Sequence, residues 1–101
     1  MENKQRILNL LGLARRASKI VTGEDMVLKQ IRSQKVFLVF VANDAGPNTR
    51  KKFTDKCHSY NVTFSDVFTQ AELSVAIGQK RSIVAVCDTG FSKKMRQLLS
   101  N

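Results

Sequence analysis

Two patterns alternate along the chain: short runs of unbroken apolar residues, and longer stretches whose apolar residues recur every three or four positions. Ile7, Leu8, Leu11 and Ala14 recur at helical spacing, and Leu10 and Leu13 widen the face, predicting a helix over 4–17. Ile20 and Val21 suit a very short strand. Val27, Leu28 and Ile31 give a buried stripe to a second helix over 23–33. Val36 to Ala42 is apolar throughout and rich in β-branched and aromatic residues, the pattern of a central strand covered on both faces. A third helix is predicted over 48–59, with Phe53 and Cys57 facing inward. A short strand around 62–64 and a helix over 69–77 follow. An apolar strand over 83–87 and a last helix over 91–99, packing through Phe91, Met95, Leu98 and Leu99, complete the series.

Strands thus alternate with helices, and the inner strands read as buried on both sides. This predicts a three-layer α/β/α sandwich with a small, mostly parallel mixed sheet. The length of 101 residues suits a single domain over 1–101. A domain of this size buries roughly 60–70% of its unfolded surface and needs no disulfide staples.

Local signals place the element ends. Thr69 and Glu72 have capping-box spacing, and Gly78 suits a left-handed helix stop. In the stretch Thr22–Ile31, the Thr22 hydroxyl is expected to cap the second helix, with Asp25 returning a bond. Gly23 allows close backbone approach. Lys29 lies four positions after Asp25, where the two can pair.

Charge changes the picture most. Seventeen Lys and Arg oppose eight Asp and Glu, a formal net charge of +9. A compact, strongly basic domain points to a polyanionic partner. No helix pairs a basic face with a bulky aromatic one, and the longest apolar run is far short of a membrane span, so no membrane partner is expected. Lys4 and Arg6 are followed by no uninterrupted apolar region, so no signal peptide is expected. Two free cysteines within apolar patterns fit a reducing, cytoplasmic setting.

Candidate chemistry is sparse. His58 adjoins Cys57, but neighbouring helix residues point about 100° apart and make no dyad. Metal-ligand spacing is lacking, and the five glycines are scattered rather than gathered into a phosphate loop. Asp44, Asp66 and Asp88 follow strands or turns, where turn and capping roles explain them. The chain therefore reads as non-enzymatic, without cofactor or metal.

RNA binding accounts for more. The helix start at Gly23 offers free N–H groups, and the carboxylates of Glu24 and Asp25 suit the amino edge of guanine. Lys29 lies one turn on. Gly78, Gln79, Lys80 and Arg81 are expected to form a flanking loop, with the cations on phosphate. Lys19 and Arg32 extend the basic frame, and Arg15 and Arg16 border it while also complementing a helix end. Arg50, Lys51, Lys52 and Lys56 make a basic outer surface that reads first as solvated, with RNA contact as the alternative. A protein-interaction adaptor docking an acidic partner is the competing reading, with a small enzyme of unrecognised type behind it.

Leu11–Glu24 (LGLARRASKIVTGE), Leu38–Lys52 (LVFVANDAGPNTRKK), Ala71–Gly78 (AELSVAIG) and Val84–Phe91 (VAVCDTGF) together carry a resemblance. The chain resembles the kink-turn-binding ribosomal-protein superfamily, most closely its small bacterial YlxQ-type members. The resemblance implies an α/β/α sandwich binding structured RNA, often a bend with tandem sheared G·A pairs, in ribosomal or other non-coding RNA. It implies an Asn-Glu pair followed by Lys after the glycine. Counted from Gly23, Asn falls on Asp25, Glu on Met26 and Lys on Lys29, and only the lysine matches. The second RNA-contacting loop maps to Ile77–Ser82, and Ser74 stands where relatives carry glycine. The expectation is a monomeric protein, ribosome-associated or ribosomal-protein-like, whose bent RNA differs from the standard kink-turn.

Overall fold

The computed structural model describes residues 2–100. The elements run α1 (Asn3–Arg16), β1 (Ile20–Thr22), α2 (Glu24–Arg32), β2 (Leu38–Val41), α3 (Pro47–Ser59), β3 (Thr63–Ser65), α4 (Gln70–Ile77), β4 (Ile83–Val86) and α5 (Thr89–Ser100). The four strands form one sheet in the order β1-β4-β2-β3. Every residue of β2 and β4 is buried. Successive side chains of a strand point to opposite faces, and the two cores divide accordingly. Leu38, Phe40, Val84 and Val86 pack under α1, α4 and α5 with Leu11, Ile77 and Met95. Val39, Val41, Ile83 and Ala85 pack under α2 and α3 with Val27, Ile31, Phe53 and Cys57. The α/β class and the three layers are as predicted.

The strand directions are not. Only β2 and β3, joined through α3, run parallel. β4 is antiparallel to both β1 and β2. A continuous apolar run reports that helices cover both faces of a strand. It carries no information on the direction of the neighbouring strand, so a mostly antiparallel sheet leaves the same pattern.

Helix ends show similar limits. The Thr69–Glu72 capping box and the left-handed Gly78 (φ 73°) are present. Three further helices stop on left-handed residues other than glycine: Ser18 (φ 59°), Gln34 (φ 58°) and Asn61 (φ 57°). Each sits in a Schellman turn. After α1, the Ser18 N–H donates to the Arg15 carbonyl at 3.0 Å and the Lys19 N–H to the Ala14 carbonyl at 2.8 Å. Two of the three carry no sequence mark of the αL state, because neither Ser nor Gln favours it.

Candidate nucleic-acid interface

Strand β1 and helix α2 meet at one residue. Gly23 has φ 87° and ψ 155°, a region reached essentially by glycine alone. Its N–H donates to the Ile83 carbonyl at 3.1 Å, extending the sheet by one step. Its carbonyl accepts from Val27 N–H at 3.1 Å and opens the helix. The strand thus becomes a helix with no intervening loop. The first turn of α2, Glu24, Asp25 and Met26, stands at the end of the sheet. Their N–H groups precede the first helical bond and have no acceptor among the described residues. A Cβ on Gly23 would meet nothing within 4 Å, so its backbone faces open space.

Thr22 does not cap this helix, contrary to the sequence expectation. Its pairing with Val84 holds it in the strand, and no side chain caps α2. Its hydroxyl instead accepts a hydrogen bond from Arg81 Nε at 3.2 Å. Asp25 and Lys29 also form no ion pair. The ion pair at this end joins Glu24 to Lys52 of α3 at 2.5 Å. Asp25 has no ion-pair partner among the described residues, and exposed Lys29 lies one turn behind it. Met26 is 46% exposed, an apolar side chain presented outward beside them.

The loop after α4 forms the second element. Gly78 closes the helix by donating its N–H to the Ser74 carbonyl at 2.8 Å. The Ser74 hydroxyl then holds Arg81 on both sides: it accepts from the Arg81 N–H at 3.0 Å and donates to the Arg81 carbonyl at 3.2 Å. Ser82 accepts from Gln70 Nε2 at 2.7 Å, and its carbonyl accepts from Ala42 N–H at 2.8 Å. A five-residue loop is therefore fixed at both ends while Gln79, Lys80 and Arg81 remain exposed. Ser74 stood out in the sequence only as a departure from a related glycine. Its link to a residue seven positions away across a turn has no sequence signature.

The Arg81–Thr22 bond brings Gly23, Glu24, Asp25, Met26 and Lys29 onto one surface with Gly78, Gln79, Lys80 and Arg81. A polar recess of about 250 Å³ lies between α2 and the start of α3, with Gly23, Glu24, Gly46 and Ser82 among its walls. Lys19 and Arg32 are set apart. Lys19 lies at the far end of β1, four extended residues or roughly 13 Å from Gly23. Arg32 is eight helical positions from Glu24, roughly 12 Å along α2. The basic run of α3 is largely engaged: Arg50 pairs with Asp66 at 3.1 Å, Lys51 with Asp55 at 3.0 Å, and Lys52 with Glu24. Those pairs blunt its attraction for a polyanion relative to the cations around β1 and the 78–82 loop, for which the described residues show no ion pair.

The aspartates weighed for chemistry hold the fold together, Asp66 through its ion pair with Arg50. Asp88 Oδ2 accepts from Phe91 N–H at 2.8 Å, and Asp44 Oδ1 from Gln70 N–H at 2.9 Å. Cys57 is fully buried, and burial pushes its thiol up to about 11. Burial also raises Cys87, partly opposed by the Lys19 charge. No helix among the described residues is long and apolar enough to cross a membrane.

Residues 5–96 match the ribosomal protein L7Ae/L30e/S12e/Gadd45 family. The chain belongs to this family. It is 44% identical over 97 residues to the RNA-binding protein YlxQ of Enterococcus faecium, covering 96% of this chain and 94% of the relative. It is 50% identical over 91 residues to the RNA-binding protein YlxQ of Bacillus subtilis strain 168, covering 89% and 91%. Among solved structures, a Bacillus halodurans protein of unknown function superposes with a TM-score of 0.90 at 42% identity, covering 94% of this chain and 97% of that one. A Giardia lamblia 15.5 kDa RNA-binding protein superposes with a TM-score of 0.83, covering 99% and 87%. At 19% identity that last likeness speaks for the L7Ae-type fold alone.

Proposed function

We propose that the chain is a non-catalytic binder of structured RNA that reads a bend or internal loop. The first turn of α2 and the Gly78–Ser82 loop act together as the reading surface. The observation that carries this is the Arg81–Thr22 hydrogen bond, which ties a basic loop to a helix start whose main-chain donors have no acceptor among the described residues. The names of the YlxQ relatives support RNA as the partner class. Backbone donors and Lys80 position the phosphates, while Asp25 and Lys29 address base edges. Met26, where the resemblance implies glutamate, offers an apolar contact instead. The preferred RNA is accordingly kink-turn-like without the standard tandem G·A requirement. Ribosomal or ribosome-associated RNA in the cytoplasm is the natural source, and the protein acts as a monomer.

Equilibrium binding to an internal-loop hairpin and to a plain duplex of equal charge tests the reading. The hairpin should bind more tightly, and Lys29→Ala should weaken it by roughly tenfold, the scale of one base-edge contact. Equal binding of both RNAs, unchanged by Lys29→Ala, would favour the adaptor for an acidic partner.

A further inference from the structure

The edge strand β1 borders a second surface, beside the C-terminal end of α1. A groove of about 480 Å³ runs along it, lined by Arg15, Arg16, Ser18, Ile20, Thr22 and Gln79. We propose that this groove carries the sugar–phosphate backbone of an RNA arm leaving the bend, an inference that rests on the RNA-binding reading above.

Three features fit the groove to phosphate. The first is the set of donors. Gly23 N–H donates to the Ile83 carbonyl and Cys87 N–H to the Lys19 carbonyl, so residues 19, 21 and 23 direct their main-chain groups toward β4. Antiparallel strands alternate in this respect, so the N–H groups of Ile20 and Thr22 point away from β4 along the open sheet edge that borders the groove, with their carbonyls beside them as acceptors for ribose hydroxyls. The Ser18 hydroxyl and the Gln79 amide add neutral donors. The second feature is charge. Arg15 and Arg16 are exposed and have no ion-pair partner among the described residues. The third is the treatment of the α1 C-terminus, whose free carbonyls would ordinarily repel an anion. The Leu13, Ala14 and Arg15 carbonyls are occupied by the N–H groups of Ala17, Lys19 and Ser18. The left-handed Ser18 makes the bonds to Ala14 and Arg15 possible, and the two arginines bring positive charge to this end of the helix.

Continuity decides the occupant. Thr22 and Gln79 line the groove and also belong to, or adjoin, the reading surface, so a strand bound there passes directly into the groove. An added peptide strand suits it less well: β1 is only three residues long and is flanked by cations, both features that discourage edge pairing.

The test compares an internal-loop hairpin carrying a long helical arm with the same RNA trimmed back to the loop. Binding is measured against salt for the wild type, the R15Q/R16Q and R15K/R16K double variants, and Lys29→Ala. On the long-armed RNA, R15Q/R16Q should lower the slope of log K against log salt by about 1.4–1.8, the value for two lost phosphate contacts. R15K/R16K should retain most of that slope, and the trimmed RNA should show no difference among these three proteins. Lys29→Ala should weaken both RNAs alike. An unchanged slope for R15Q/R16Q on the long arm, with Lys29→Ala still weakening both, would overturn the groove and leave the reading surface standing. Equal loss on the long and trimmed RNAs would also overturn it. Absence of any preference for the hairpin in the wild type would overturn both readings.

Discussion

Ser74 and Arg81 are bound twice, through the serine hydroxyl to both the N–H and the carbonyl of the arginine. One side chain on the last turns of α4 thereby fixes the main chain of the loop that carries the basic residues. The Arg81 side chain then reaches Thr22 and aligns that loop with the start of α2. Preorganisation of this kind lowers the ordering cost of binding.

Ser74→Ala is expected to remove both bonds without disturbing the helix, since alanine is the strongest helix former. The loss to stability should be about 1 kcal/mol, the usual net value of a hydrogen bond of this kind. Amide exchange at Arg81 should accelerate, and affinity for a hairpin RNA should fall several-fold. Unchanged exchange at Arg81 would show that the loop is held by other contacts.

Met26→Glu places a carboxylate where the family resemblance implies one. Met26 is 46% exposed, so stability should move by no more than about 0.5 kcal/mol. Binding should shift toward RNAs with tandem G·A pairs, measured as the ratio of Kd values for a G·A bend and for the same bend with those pairs replaced. An unchanged ratio would mean that this position does not meet the bases.

Cys57 supplies a pH dependence with a definite sign. Burial raises its thiol from an ordinary value of 9.0 to about 11. A folded value above the unfolded one means that the unfolded chain loses the proton first. The contribution is therefore complete below pH ~9 and is lost as pH rises through about 11. Urea denaturation between these limits should show stability falling with pH, and Cys57→Ser should flatten the fall. In the native protein Cys57 should resist thiol reagents while half-buried Cys87 reacts first.

Much of the fold was legible because the signals are local. The Thr69–Glu72 box needs only its own four residues, and Gly78 stops a helix by its own conformational freedom. The apolar runs around Val39 and Ala85 marked the buried strands. Strand direction was not legible, because burial of both faces looks the same in parallel and antiparallel sheets. The candidate interface divided along the same line. Gly23, Lys29 and the 78–82 loop could be named as candidates from residue type and resemblance, and the Arg81–Thr22 bond links the two elements that carry them. The role of Thr22 could not, because a hydroxyl before a helix satisfies the capping pattern whether or not the sheet holds it elsewhere. The pairing of Glu24 with Lys52 spans twenty-eight positions and depends on α2 and α3 lying side by side. It engages one carboxylate of the expected pair with a lysine of α3.

Amide chemical-shift mapping during titration with an internal-loop hairpin RNA tests the central claim most directly. The largest changes should fall on Gly23 to Lys29 and on Gly78 to Ser82, rising together at one RNA equivalent. Changes centred on Arg50 to Lys56 of α3, with the α2 start and the 78–82 loop unmoved, would contradict it.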